Sequence, residues 1–167
     1  MGPMPPERAP VAVVDLDGVL ADVRHRLRHV ECRTGKDWDA FFAGIPDDPP
    51  LAEGLAVVGK LLADGHEILI VTGRPERTRA DTERWLERHG LPHARVVMRR
   101  DGDRRPARQV KRALVRRLAA SRTVAVVVDD DPAVCDALEA DGWPVFRADW
   151  MDRAAALHEA QEADGTT

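Results

Sequence analysis

Five short apolar runs rich in β-branched residues recur along the chain: "VAVV" at 11–14, "EILIVT" at 67–72, "ARVVM" at 94–98, "TVAVVVDDD" at 123–131 and "WPVFRA" at 143–148. Such runs, without polar alternation, predict strands buried on both faces, the situation of a parallel sheet covered by helices. The stretches between them carry helical spacing. Leu55, Val58, Leu61 and Leu62 form one stripe within 52–63, just before Gly65, and 77–89 ends at Gly90 with Trp85 and Leu86 as its apolar contact. Val110, Leu114, Val115 and Leu118 line one side of 108–120, and Pro132 suits the first turn of a helix over 132–140. Shorter helices are predicted over 21–31 and 37–43, and a closing one over 151–162. Strand–helix alternation of this kind predicts an α/β, Rossmann-like architecture: a five-stranded, mainly parallel sheet with helices on both faces and right-handed crossovers.

A length of 167 residues fits one domain, expected over 11–163, with the proline-rich start (1–10) and the polar end (164–167) as disordered termini. No run approaches the roughly 20 apolar residues of a membrane helix, so a cytoplasmic, membrane-free protein is expected. The two cysteines, Cys32 and Cys135, are too far apart for a metal knuckle or a CxxC redox pair and read as reduced packing residues. The net charge of −4 exerts no global pull on nucleic acid. One segment departs from that balance. Between Arg95 and Arg117 lie ten cationic residues, among them Arg99, Arg100, Arg104, Arg105 and Lys111, against only Asp101 and Asp103. That segment either meets an anion or forms a solvated charged face.

The polar residues gather where an α/β sheet binds ligands, at the carboxyl ends of its strands. Asp15 and Asp17 follow the first run, Thr72 and Arg74 the second, Arg99 and Arg100 the third, and Asp129, Asp130 and Asp131 the fourth. If the fourth strand lies beside the first, both carboxylate sets converge. Crowded carboxylates repel unless a cation neutralises them, and a hard cation such as Mg²⁺ suits oxygen donors. The bland alternative is that Asp and Gly merely end strands in solvated turns and that Asp131, before Pro132, caps a helix.

In order, "DLDGVLAD", "VTGR", Lys111 and "VVDDDP" resemble the four motifs of the haloacid dehalogenase superfamily of phosphotransferases. Within it, "MRRDGDRRPARQVK" is similar to the 3'-phosphatase domain of phage-type polynucleotide kinase-phosphatases, on Met98, Arg99, Gly102, Asp103, Arg105 and Lys111. This chain departs from that group at Ala107, Arg108 and Gln109, where acidic residues are the tendency. No GxxxxGK[ST] loop occurs, so no kinase half is expected.

The resemblance implies a Mg²⁺-dependent phosphomonoesterase. Asp15 is implied as the nucleophile that becomes an aspartyl-phosphate, and Asp17 as general acid and then base. Thr72 is implied to donate its hydroxyl to the phosphoryl oxygens, Lys111 to neutralise charge on the nucleophile and phosphate, and Gly18 to let the chain turn without a side chain clashing with the phosphate. Asp15, Asp17 (through its backbone carbonyl) and Asp130 are the expected metal ligands, with Asp129 a ligand or bound to surrounding donors such as Lys111. Gly73, Arg74, Arg99 and Arg105 are the expected substrate-binding residues, since a guanidinium reads phosphate bidentately. The stretch 22–50 reads as a small helical cap over the site. Within it, Trp38 either stacks on a base or packs with Phe41 and Phe42, and His25 and His29 read as surface residues.

The expected substrate is a polynucleotide 3'-phosphate or a nucleotide; the alternatives are a small-metabolite phosphate and a non-catalytic phosphate-binding partner subunit. A separate kinase or repair protein is a conceivable partner.

Overall fold

All five apolar runs form strands of one sheet in the computed structural model, which describes residues 8–31, 34–152 and 155–165. The strands are β1 (Val11–Val14), β2 (Glu67–Pro75), β3 (Arg95–Arg99), β4 (Val124–Asp129) and β5 (Val145–Arg147). Every pairing is parallel and the spatial order is β3-β2-β1-β4-β5. Central β1 has β2 on one side and β4 on the other, with Val13 opposite both Leu69 and Val127.

Alternate residues of each strand feed two cores, because successive side chains point to opposite faces. Ala12, Val14, Ile68 and Ile70 pack with Val58, Trp85 and Leu86 on one face. These come from α2 (Ala52–Ala63) and α3 (Arg79–Arg88), which follow the short α1 (Trp38–Ala43). Val11, Val13, Leu69 and Val71 pack with Val115, Val134 and Leu138 on the other, against α4 (Ala107–Ala119) and α5 (Pro132–Ala140). The sheet is therefore sandwiched between helical layers. Burial on both faces explains why β1, β2 and β4 carry no polar alternation; β5, at the sheet edge, departs from the expectation, with Phe146 and Arg147 exposed.

A third apolar cluster, with Val23, Leu27, Phe41, Phe42, Ile45, Met151 and Leu157, ties residues 22–50 to the end of the chain. Two helices predicted here are shorter than the pattern suggests. The 21–31 stretch holds only a 3₁₀ segment, Arg24–His29, because Leu16–Ala21 first make a tight turn in which the Leu16 carbonyl accepts from three amides and Ala21 pairs with Pro50. Of the closing helix, 153–154 lie outside the described residues; α6 spans Ala155–Glu159 and widens into a π-helical turn, Ala160–Asp164. The expectation for Cys32, and most of that for the two termini, likewise falls outside the described residues. Cys135 is buried and unpaired, and burial pushes its thiol up to about 12.

Glycine at 54 is a packing requirement. A Cβ there would lie 1.9 Å from the Val19 carbonyl oxygen, so α2 sits directly on the turn that follows β1. No helix among the described residues is long and apolar enough to cross a membrane.

Candidate active site

Because β4 lies beside β1, the carboxylates that end the two strands converge. The Asp15 amide donates to the Val128 carbonyl, and one oxygen each from Asp15, Asp129 and Asp130 lie within 4.8 Å of one another. From α4, the buried Lys111 reaches into the cluster, with Nζ 3.1 Å from Asp15 Oδ1 and 2.5 Å from Asp129 Oδ2. Burial, reinforced by Asp129, Asp130 and Asp17, pushes the Asp15 carboxyl well above the usual carboxylate range even though Lys111 opposes the shift. Burial lowers the Lys111 ammonium's pKa, but the facing Asp129 and Asp15 carboxylates outweigh it and raise it above its ordinary value, holding the ammonium form.

The carboxylates have unequal surroundings. Both Asp129 oxygens are engaged, Oδ2 by Lys111 and Oδ1 by the Asp131 amide at 2.9 Å. Asp131 caps α5, its side chain accepting from the Ala133 amide. Asp15 Oδ2 is buried and has no hydrogen-bond partner among the described residues. Gly18 turns the chain at a φ of +83°, and a Cβ there would lie 2.3 Å from Asp130 Oδ2. Glycine lets the Asp130 carboxylate approach the β1 turn. Three converging carboxylates, one with a bare buried oxygen, fit a hard divalent cation such as Mg²⁺, whose charge would offset their repulsion.

Asp17 belongs to a second, separate network. Its Oδ1 accepts from Arg74 Nη2 at 2.5 Å and Nε at 2.9 Å, and from Arg26 Nη2 at 3.2 Å. Asp48 joins both arginines, accepting from Arg26 Nε at 2.8 Å and Arg74 Nη2 at 2.7 Å, and pairs with His25 Nε2 at 2.7 Å. All four charged side chains are essentially excluded from solvent. Two carboxylates and two guanidinium groups leave the set neutral, the condition under which buried charges are tolerable. Burial raises the Asp17 carboxyl, but the charges and hydrogen bonds of Arg74 and Arg26 outweigh it and draw it below the usual range. Its Oδ2 remains buried without a hydrogen-bond partner.

Thr72 and Gly73, at the end of β2, share a small cavity with Lys111, Met98 and Arg99; the Thr72 hydroxyl also accepts from the Arg74 amide at 3.2 Å. The expected phosphate-reading arginines are arranged otherwise. Arg74 is fully buried and turned onto Asp17 and Asp48. Arg99 uses Nη1 to bind the Asp103 and Arg105 carbonyls and so orders its own loop, while exposed Arg105 pairs with the Asp103 carboxylate at 2.7 Å.

Arg26 and Asp48 escaped the sequence reasoning. "RHRLRH" resembles a solvated charged face and "PDDPP" a chain breaker; the partners lie 9 to 57 residues apart, beyond any local pattern. Nothing local in the sequence marks the pair; in the fold the Arg26 guanidinium sits 4.3 Å over the Phe41 ring.

A parallel sheet with a carboxylate pair after its central strand, a threonine on the neighbouring strand, a lysine from the flanking helix and further aspartates after β4 defines the phosphatase class of the haloacid dehalogenase superfamily. Residues 9–152 match the family described as "Polynucleotide kinase PNKP phosphatase domain", and the chain belongs to that family. Two solved structures of a Pnkp1/Rnl/Hen1 complex, one described as an RNA repair complex, are similar with TM-scores of 0.69 and 0.70 and identities of 21% and 22%, each over 87% of this chain. The chain spans 44% and 48% of those chains, less than half their length. A class C acid phosphatase from Bacillus anthracis with tungstate bound is similar at a TM-score of 0.59 and 16% identity, over 92% of this chain and 78% of that one. At such identities the likeness is one of fold. No curated protein matches the sequence significantly.

Proposed function

We propose that the protein is a cytoplasmic, Mg²⁺-dependent phosphomonoesterase that forms an aspartyl-phosphate on Asp15, with a nucleic-acid 3'-phosphate or a 3'-nucleotide as substrate. The observation that carries this is the Asp15 carboxylate, held at 3.1 Å by Lys111 beside Asp129 and Asp130, with one bare oxygen.

In the first step an Asp15 oxygen attacks phosphorus; the Asp15–phosphorus linkage forms as the bond to the substrate oxygen breaks. Asp17 Oδ2, the oxygen not held by the arginines, gives its proton to that leaving oxygen. In the second step Asp17 takes a proton from water, which attacks phosphorus, releases inorganic phosphate and restores Asp15. The two arginines favour ionised Asp17, the form needed to accept that proton; acting as acid requires it to loosen from them. Lys111 stays charged throughout and, with the Thr72 hydroxyl and the Gly73 backbone, offsets charge spread over the phosphoryl oxygens. A cation held by Asp15, Asp130 and the Asp17 carbonyl, with Asp129 behind them, would supply charge neutralisation and hold the phosphate against the nucleophile.

The family match supports a polynucleotide end over an unrelated phosphate ester. The net charge of −4 and the absence of acidic residues at 107–109 favour a small-metabolite phosphate instead. A panel of 3'-phosphorylated oligonucleotide, 3'-nucleotide, 5'-nucleotide and sugar phosphates separates them; turnover of sugar phosphates alone would refute the nucleic-acid assignment. Asp15→Asn should abolish Mg²⁺-dependent hydrolysis of an aryl phosphate while the circular dichroism spectrum is kept. Unchanged turnover would rule out the covalent route, and an inactive parent protein would favour the phosphate-binding subunit. On this assignment a separate kinase or repair protein is the partner proposed, a similar structure being described as a Pnkp1/Rnl/Hen1 RNA repair complex.

A further inference from the structure

Beyond the cavity shared by Thr72 and Lys111 lies a second, open cleft of about 80 Å³, walled by Trp38, Pro75, Arg77, Arg99, Arg100 and Arg104. Arg99 borders both spaces. At roughly 12 Å³ per water-sized probe, the cleft has room for about six oxygen-sized groups, enough for a phosphodiester. Pro75, in its wall, follows Thr72 by three residues across an irregularity in β2, which places the cleft next to the end of the strand that carries Thr72.

Its chemistry is distinct from that of the catalytic cluster. The Arg77 guanidinium is set by the Phe42 ring, 5.1 Å away. Its ion pairs are long, 3.7 Å to Asp39 and 4.0 Å to Asp101, and both carboxylates are strongly exposed, so an incoming phosphate can replace them at little cost. Among the described residues the exposed Arg100 guanidinium has no hydrogen bond or ion pair. The same cleft is lined by Trp38, which is half-buried, braced by Phe41 and Phe42, and has the Lys36 ammonium 5.9 Å from its ring centroid. Guanidinium groups sharing a cleft with an aromatic ring are what a single-stranded nucleotide requires: charge for the phosphodiester and an apolar surface for the base.

We propose that this cleft is a subsite for the penultimate nucleotide of a single-stranded 3'-phosphorylated chain, with Arg77 and Arg100 on its phosphodiester and Trp38 against its base. The subsite rests on the phosphomonoesterase assignment and narrows it: a dinucleotide or longer becomes the preferred substrate over a 3'-mononucleotide.

The test compares kcat/KM for a 3'-phosphorylated dinucleotide, a 3'-mononucleotide and p-nitrophenyl phosphate in the parent protein, Trp38→Ala and the double variant R77A/R100A. The parent should favour the dinucleotide over the mononucleotide by about tenfold, the effect of one stacked, charge-paired nucleotide. Each variant should lose most of that preference through KM while p-nitrophenyl phosphate turnover stays unchanged. Binding of fluorescein-labelled dinucleotide to the Asp15→Asn protein gives a reading independent of turnover. The logarithmic salt slope should flatten by about 0.7 in R77A/R100A for the one phosphate lost. No preference in the parent, or a preference and salt slope untouched in both variants, overturns the subsite. Absence of p-nitrophenyl phosphate hydrolysis with intact dinucleotide binding would instead sink the phosphomonoesterase assignment and leave the subsite standing.

Discussion

Asp48→Asn should be one of the most destabilising single-atom changes available to this protein. The carboxylate accepts from His25, twice from Arg26 and once from Arg74, all within 2.7–3.0 Å, and its side chain has no solvent exposure. The amide keeps one acceptor oxygen, which can stay with His25 and Arg26 Nε. Its NH₂ group then faces the two terminal guanidinium nitrogens, donor against donor, and the buried set of four charges becomes net positive. Removing one member of a buried pair costs about 3–5 kcal/mol, a large share of a total stability of about 5–15 kcal/mol. For a chain of this size that is a fall in Tm of roughly 6–20 °C. Asp39→Asn is the control: it also deprives an arginine of a carboxylate, but at 3.7 Å and 95% exposure, so less than about 1 kcal/mol is expected. Thermal unfolding followed by circular dichroism at neutral pH reads both. Equal, small shifts in the two variants would show that the Asp17–Arg74–Asp48–Arg26 set is not held out of water.

Gly18→Ala forces a side chain into a positive-φ position for about 1–2 kcal/mol and drives its Cβ into Asp130 Oδ2. The stabilisation by Mg²⁺ seen in a thermal titration should therefore weaken about tenfold in apparent affinity, as one displaced ligand would cause, and an unchanged titration would show that Asp130 takes no part. Asp103 is held down to about 2, first by the hydrogen bonds from Arg105. Because its folded pKa lies below the unfolded one, its contribution to stability is present above about pH 4 and is lost as pH falls toward 2. An NMR titration should find it near 2 in the parent and near about 3.9 in Arg105→Ala; a parent value near 4 would contradict the pairing. Asp15→Asn, with turnover lost and fold retained, completes the set.

Most of the sheet could be read from the chain directly, since a strand buried on both faces is apolar along its buried length, as "VAVV", the "ILIV" within "EILIVT", and "VAVVV" are. The helices α2 and α4 were equally legible, because their apolar stripes run at the period of the helix that buries them, and α5 was read from Pro132 in its first turn. The 3₁₀ segment at Arg24–His29 was not, because the turn before it and the Ala21–Pro50 bridge consume residues that local spacing assigns to a helix.

The sequence by itself determined which groups stand at the ends of the strands: Asp15, Asp17, Thr72, and Asp129 to Asp131 are placed by short-range pattern, and Lys111 by its helix. Tertiary structure alone decided what each is bonded to. Only the β1–β4 adjacency brings Lys111 to Asp15 and Asp129. Only the tertiary packing that brings Arg26 and Asp48 to the end of β2 pairs Arg74 with Asp17 and Asp48 and sets Arg26 beside it. The physical reason is that a buried charge is stabilised by whichever opposite charge the fold delivers, at any sequence distance, whereas apolar periodicity is repeated every few residues along the chain itself.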